Sequence, residues 1–242
     1  MAEFYRELEP LLLELRELAK TLLTAFFIVL AFAVVLAVMP VGNSTLTQLF
    51  FDYIISWLPE EAEVIAVNPI NPFLYYLLLS LYLSAITCAP ISILIVYRYF
   101  REALTRDEAQ VARRWVLPMI LCFYAGVVYG LLLVAPVVLK SLVTLGEMAL
   151  EVEPVYGIAE VADLVFQTSL ISGLIFLIPP VVGALGRIGV IDLEDVREWR
   201  PLIYIAVFAL VLVLDPEPFI IEETLLTLPF IILMEITLWK CR

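Results

Sequence analysis

The sequence predicts an all-α integral membrane protein of six transmembrane helices, packed as one domain over residues 1–242 with both termini in the cytoplasm. Three observations predict it. Apolar residues make up 63% of the chain and mean hydropathy is +1.03, against roughly 45–50% apolar in a soluble domain. The apolar runs are continuous and do not alternate in and out, so they read as helices rather than barrel strands, the two structures that satisfy every backbone polar group in lipid. When six spans are drawn, thirteen of the fourteen Lys and Arg residues fall on one side, which the positive-inside rule assigns to the cytoplasm.

An amphipathic, acidic segment, Glu3–Lys20, comes first. It has no basic n-region and no small-residue cleavage site, so the first span, near Thr21–Met39, is read as the insertion signal. Arg6, Arg16 and Lys20 precede it, and the connection from Val41 to Phe73 has no basic residue. The second span runs near Phe73–Tyr97, and Arg98, Arg101, Arg106, Arg113 and Arg114 crowd the loop after it. In that loop Thr105-Arg-Asp-Glu108 fits a capping box for a helix running into the third span, near Trp115–Val138. Lys140 is the single basic residue on the far side. The fourth span, near Ala162–Leu185, is followed by Arg187, Arg197 and Arg200. The fifth and sixth, near Leu202–Leu214 and Thr224–Trp239, are short. Thirteen residues rise roughly 20 Å, against a hydrocarbon core of about 30 Å. Short helices pair as a hairpin or thin the bilayer around them.

The absence of histidine removes zinc–histidine sites, serine–histidine catalysis and histidine proton relays. Cys88, Cys122 and Cys241 have no metal or redox spacing and read as packing residues. A net charge of −12 excludes a general attraction to nucleic-acid backbones and suits cationic partners. The expectation is therefore a binding protein with no enzyme activity, no metal and no cofactor. A proton-coupled transporter needs carboxylates near the midplane. The fourth span offers Asp163 near its outer end and Gln167 a turn deeper. A secondary transporter or channel for a small solute is the alternative reading, and it would depend on these two. Acidic residues gather at the edges instead. Glu14 suits either a solvated helix face or a ligand contact, and Glu108 suits a cap, a ligand contact or both.

Several stretches in chain order resemble the TatC family, the multispanning receptor of the twin-arginine protein translocase. They are Leu12-Leu-Glu-Leu-Arg16, Asn68-Pro-Ile-Asn-Pro-Phe73, and Phe123-Tyr-Ala-Gly-Val-Val-Tyr129 followed by Pro136. Phe176-Leu-Ile-Pro179, Arg187-Ile-Gly-Val-Ile191, Leu193-Glu-Asp-Val-Arg-Glu-Trp-Arg-Pro201 and Thr224-Leu-Leu-Thr-Leu-Pro229 continue the series. The resemblance implies a concave bundle with short fifth and sixth helices. It implies a protein that binds paired-arginine signal peptides of folded passengers at its cytoplasmic face, assembles with single-span TatA- and TatB-type subunits in an oligomeric complex, and works by proton-motive force in a prokaryotic cell membrane. It assigns peptide binding to Glu14 and Glu108, within the motifs that hold Arg16 and follow Tyr99. Glu217 and Glu223 are its candidate polar positions against a partner helix, beside Gln167, which the residues alone offer as a polar position within the membrane. Leu177 stands where the family commonly has a glutamate in the fourth span.

Overall fold

The computed structural model of the chain describes residues 16–17, 19–31, 33–35, 40–41, 44–57, 63–65, 70–150, 155–214 and 220–241. An apolar helix α1, Ala19–Val35, is followed by a small hairpin, β1 (Pro40–Val41) with β2 (Ser44–Thr45), and helix α2 (Leu46–Ile55). Strand β3 (Glu63–Ile65) precedes α3 (Asn71–Arg101). Helix α4 (Arg106–Tyr129), a π turn (Gly130–Val134) and α5 (Ala135–Leu150) form one continuous rod. Strand β4 (Val155–Gly157) pairs in parallel with β3 and leads into α6 (Ile158–Ile188), α7 (Leu193–Leu214) and α8 (Ile220–Lys240).

Among the described residues, three stretches are long and apolar enough to cross a membrane: Asn71–Arg101, Arg106–Thr144 and Ile158–Ile188. Helices α7 and α8 have 22 and 21 residues, but charge at their ends shortens their apolar parts. Nine residues of α7, including Glu194, Asp195, Arg197, Glu198 and Arg200, precede its apolar stretch. The amino-terminal segment Glu3–Lys20 lies mostly outside the described residues.

Helix α6 is the centre of the bundle. Its buried residues point all around its axis, as expected for a helix with neighbours on several sides. One cluster, on the α3 side, joins Tyr75, Leu79 and Tyr82 with Phe123, Val127 and Phe166. There the Tyr82 ring stacks on Phe166 with centroids 4.6 Å apart, and its hydroxyl lies 2.6 Å from Ser169 Oγ. A second cluster joins Val134 and Val138 with Ile175, Phe176, Val211, Leu226 and Phe230. Between them α4 and α6 touch backbone to backbone. A Cβ on Gly126 would sit 2.6 Å from the Ser172 carbonyl oxygen, and one on Gly130 would sit 2.6 Å from Ser169 Cα. Small residues allow such approach where lipid, as apolar as leucine, gives helices little hydrophobic reason to associate. Outward faces stay apolar: Leu174, Val213 and Trp239 are exposed, as a surface solvated by lipid requires.

The capping box at Thr105 forms as its spacing predicts. A second one, Thr45 with Gln48, starts α2 inside the segment read from sequence as a plain connection.

Candidate functional site

The basic residues that flank the apolar runs meet at one end of the bundle. Gly189, at φ +86°, ends α6 in the left-handed conformation that glycine adopts without a Cβ penalty. Its amide bonds to the Gly186 carbonyl and that of Val190 to Leu185. The chain then turns into α7, so that three arginines of this corner face the last turn of α8. Arg187 Nη2 donates to the Lys240 carbonyl at 2.7 Å and Arg197 Nη2 to the Leu238 carbonyl at 2.9 Å. Both carbonyls belong to the helix end that has no intrahelical amides, where positive charge is favoured. Arg200 Nη1 lies 3.2 and 3.3 Å from the two Glu235 oxygens, and the Tyr204 hydroxyl donates to Glu235 Oε1 at 2.7 Å. Trp115, from the start of the third apolar run, closes the same end. Its ring fills the space a Cβ on Gly183 would need, next to Thr237.

Across this end the last turns of α3 and the residues around α1 enclose a cavity of about 310 Å³ lined by Glu17, Thr21, Ile95, Arg98, Tyr99 and Glu102. The spacing explains the lining. Ile95, Arg98, Tyr99 and Glu102 stand at i, i+3, i+4 and i+7, one helix face, and Glu17 and Thr21 at i and i+4. The Tyr99 ring is half-buried and meets Phe100 edge-on at 5.5 Å. Further along the same helix pair lies a larger apolar cavity of about 640 Å³. Leu22 and Phe26 of α1, Ala85, Cys88 and Ala89 of α3, and Leu177 of α6 are among its walls.

Glu108 sits in the first turn of α4, ahead of the apolar stretch, and is partly exposed. The Thr105 amide donates to Glu108 Oε2 at 2.8 Å and the Glu108 amide to Thr105 Oγ1 at 3.5 Å. The backbone bond from Thr105, then its side chain, hold this carboxyl below the usual carboxylate range. It is therefore ionised at neutral pH. Capping uses one of roughly four acceptor positions on a carboxylate, so capping leaves room for a guanidinium.

Of the residues singled out from sequence, the structure brings Tyr99 into the charged cavity with Glu17 and Glu102, while Glu108 is not among its walls. Arg16 is exposed just before α1. Gln167 is half-buried on α6 and Glu223 fully buried near the start of α8, so neither belongs to this end. Glu14 and Glu217 lie outside the described residues. Glu17 and Glu102 were not singled out, although their spacing from Glu14 and Tyr99, three residues in each case, places them on shared helix faces.

The model of one protein family, Sec-independent protein translocase protein (TatC), matches residues 14–229. The TatC protein of Escherichia coli K12 is 27% identical over 238 residues, covering 97% of this chain and 88% of that protein. That of Aquifex aeolicus is 25% identical over 179 residues, 74% of each. A crystal structure of the twin-arginine translocase receptor TatC in DDM superimposes with a TM-score of 0.78 at 23% identity, over 96% of this chain and 99% of that one, a likeness of fold.

Proposed function

The chain belongs to the TatC family and is a subunit of a twin-arginine translocase, and from that premise we propose that it is the subunit that receives the signal peptide. The membrane is the cell membrane of a prokaryote. Six helices cross it, and the arginine-rich end, with both termini, faces the cytoplasm.

One observation carries the reading. At the basic end, the cavity of Glu17, Arg98, Tyr99 and Glu102 is followed along the same helix pair by an apolar cavity, and an ionised carboxylate, Glu108, stands in the first turn of α4. A peptide with two guanidinium groups followed by an apolar segment is complementary to that sequence of surfaces. Carboxylates accept guanidinium bidentately, and an aromatic face accommodates its plane. Glu14, three residues before Glu17 in the sequence, supplies the second acceptor in this proposal, and Arg16 belongs to the same motif. Gln167, Glu217 and Glu223 are the polar positions we assign to contacts with single-span TatA- and TatB-type partners in the assembled complex, Glu223 being buried in the isolated subunit. Passage of folded proteins draws on the proton-motive force, and the subunit itself catalyses no reaction.

The test is binding of the purified, detergent-solubilised protein to a signal peptide bearing Arg-Arg and to its Lys-Lys counterpart. Tighter binding of Arg-Arg is expected. Glu108→Gln keeps the capping box, since glutamine serves at that position, and removes the charge. It should weaken Arg-Arg binding on the order of tenfold or more at unchanged thermal stability. Equal affinity of the variant and the parent protein removes Glu108 from the site. Equal affinity of the parent protein for the two peptides removes the receptor reading.

A further inference from the structure

A proline inside a helix has no N–H, so the carbonyl four residues earlier loses its intrahelical donor. In α3 the proline is Pro90 and that carbonyl belongs to Ile86. In α8 it is Pro229 and the carbonyl belongs to Leu225. In water these oxygens would be hydrated. In lipid each needs a donor from the protein. Both have one, and both donors are tyrosines of α4. The Tyr124 hydroxyl donates to the Ile86 carbonyl at 3.2 Å and the Tyr129 hydroxyl to the Leu225 carbonyl at 2.9 Å.

The two tyrosines are five residues apart, so at about 100° per residue they leave α4 roughly 140° apart. That divergence is what lets one helix serve two neighbours. Tyr129 is also held by stacking on Phe176 of α6, with centroids 5.4 Å apart. Pro136 follows a different device. The π turn just before it lets the Ala135 amide reach the Gly130 carbonyl five residues back, a local adjustment of the backbone itself.

We propose that Tyr124 and Tyr129 are positioning residues. Each supplies its hydroxyl proton to the carbonyl that a proline on a neighbouring helix leaves unbonded, and α4 thereby sets the bend of α3 at Pro90 and of α8 at Pro229. The placement of Pro90 gives the first of these a use. Ala85, Cys88 and Ala89 line the large apolar cavity before the proline, and Ser92 and Ile93 line it after. Arg98, Tyr99 and Glu102 follow in the charged cavity. A change of bend at Pro90 therefore swings the charged mouth relative to the apolar cavity. Only this consequence rests on the receptor reading. The tyrosine–proline pairing stands apart from it.

The test is a pair of double-mutant cycles on the full chain in detergent: Tyr124→Phe with Pro90→Ala, and Tyr129→Phe with Pro229→Ala. Each Tyr→Phe change alone should lower Tm by about 2–4 °C. In the Ala background it should lower Tm much less, because the new amide bonds the carbonyl in place of the tyrosine. Equal losses in both backgrounds overturn the pairing and leave the tyrosines as packing residues. A stability loss alone would not establish positioning, so the second readout is a distance. Spin labels at positions 77 and 100, both exposed sites on either side of Pro90, are placed in a chain whose Cys88, Cys122 and Cys241 are replaced by Ala. The distance distribution should broaden or shift in Tyr124→Phe and stay unchanged when that substitution is added to Pro90→Ala. An unchanged distribution in Tyr124→Phe overturns the positioning role. Arg-Arg peptide affinity, measured on the same variants, should fall with Tyr124→Phe. Coupled Tm values and a shifted distance in a protein that never prefers Arg-Arg would uphold the pairing and defeat the receptor reading instead.

Discussion

The seam between α4 and α6 and the clamp at the basic end both hold α6 in place, but they do so by opposite means. Along the seam, glycines bring backbone against backbone, and the residues involved, Gly126, Gly130, Ser169, Ser172 and Gly173, are all buried. At the clamp, arginines reach across to carbonyls and to one carboxylate, and their charged ends are exposed or half-exposed. A backbone contact has no rotamer to change and cannot yield, whereas a guanidinium on a long stem can find another acceptor or water. The difference places rigidity in the middle of the bundle and adjustability at the basic end, where we propose that a signal peptide is received. The rigid middle is also where the two tyrosines of α4 originate.

The sharpest way to break the comparison is to fill the seam. Gly126→Val would press its new atoms on the Ser172 carbonyl oxygen at 2.6 Å, Gly173 Cα at 2.8 Å and Phe176 Cβ at 2.9 Å. Two of these belong to backbone, so α6 itself must move. A loss of about 3 kcal/mol or more is expected, seen as a fall in the yield of monodisperse protein and in its unfolding temperature. Wild-type stability in this variant would mean that the seam yields as readily as the clamp.

The clamp should respond less. Arg197→Met keeps a stem of similar length to cover apolar neighbours and deletes the bond to the Leu238 carbonyl. The carbonyl is near a helix end, where water or Arg187 can reach. The expected cost is about 1–2 kcal/mol, measured by thermal unfolding in detergent. A loss equal to that of Gly126→Val would show that the clamp is as rigid as the seam.

These two regions also differ in how far the sequence alone discloses them. The basic end was legible because each arginine lies beside an apolar run, and the bilayer sorts charge by side whatever the details of packing. The Thr105–Glu108 box was legible because it is local, four residues with a known geometry. The similar box at Thr45–Gln48 escaped because the stretch after it, Leu46–Ile55, lies between apolar spans in a segment with no basic residue to mark it. The seam was not legible. Gly126, Gly130 and Gly173 are recognisable as small residues, but what each meets depends on which helix lies opposite. The carbonyls of Ile86 and Leu225 follow by counting four back from Pro90 and Pro229, yet the hydroxyls that serve them are 38 and 96 residues away. The same limit applies to the candidate site. The faces bearing Glu17 and Glu102 can be drawn on helical wheels, but only the packing of α1 against α3 makes them share a cavity with Tyr99.

The smallest effect should come from the clamp's most conspicuous pair. Arg200 and Glu235 are 48% and 44% exposed at their side chains, and an ion pair so placed contributes roughly 0.2–1 kcal/mol, screened by salt. Glu235→Gln retains an acceptor for the Tyr204 hydroxyl, now 2.7 Å from Glu235 Oε1, and a neutral acceptor for Arg200. The loss should therefore lie within that range at low ionic strength and shrink as salt is added, while the deficit of Gly126→Val stays constant, because steric overlap has no ionic-strength dependence. Unfolding temperatures of the two variants across a salt series test this directly. A salt-independent loss above the ion-pair range for Glu235→Gln would mean that Tyr204, Arg200 and Glu235 act as one desolvated network, and that the basic end is built as rigidly as the seam.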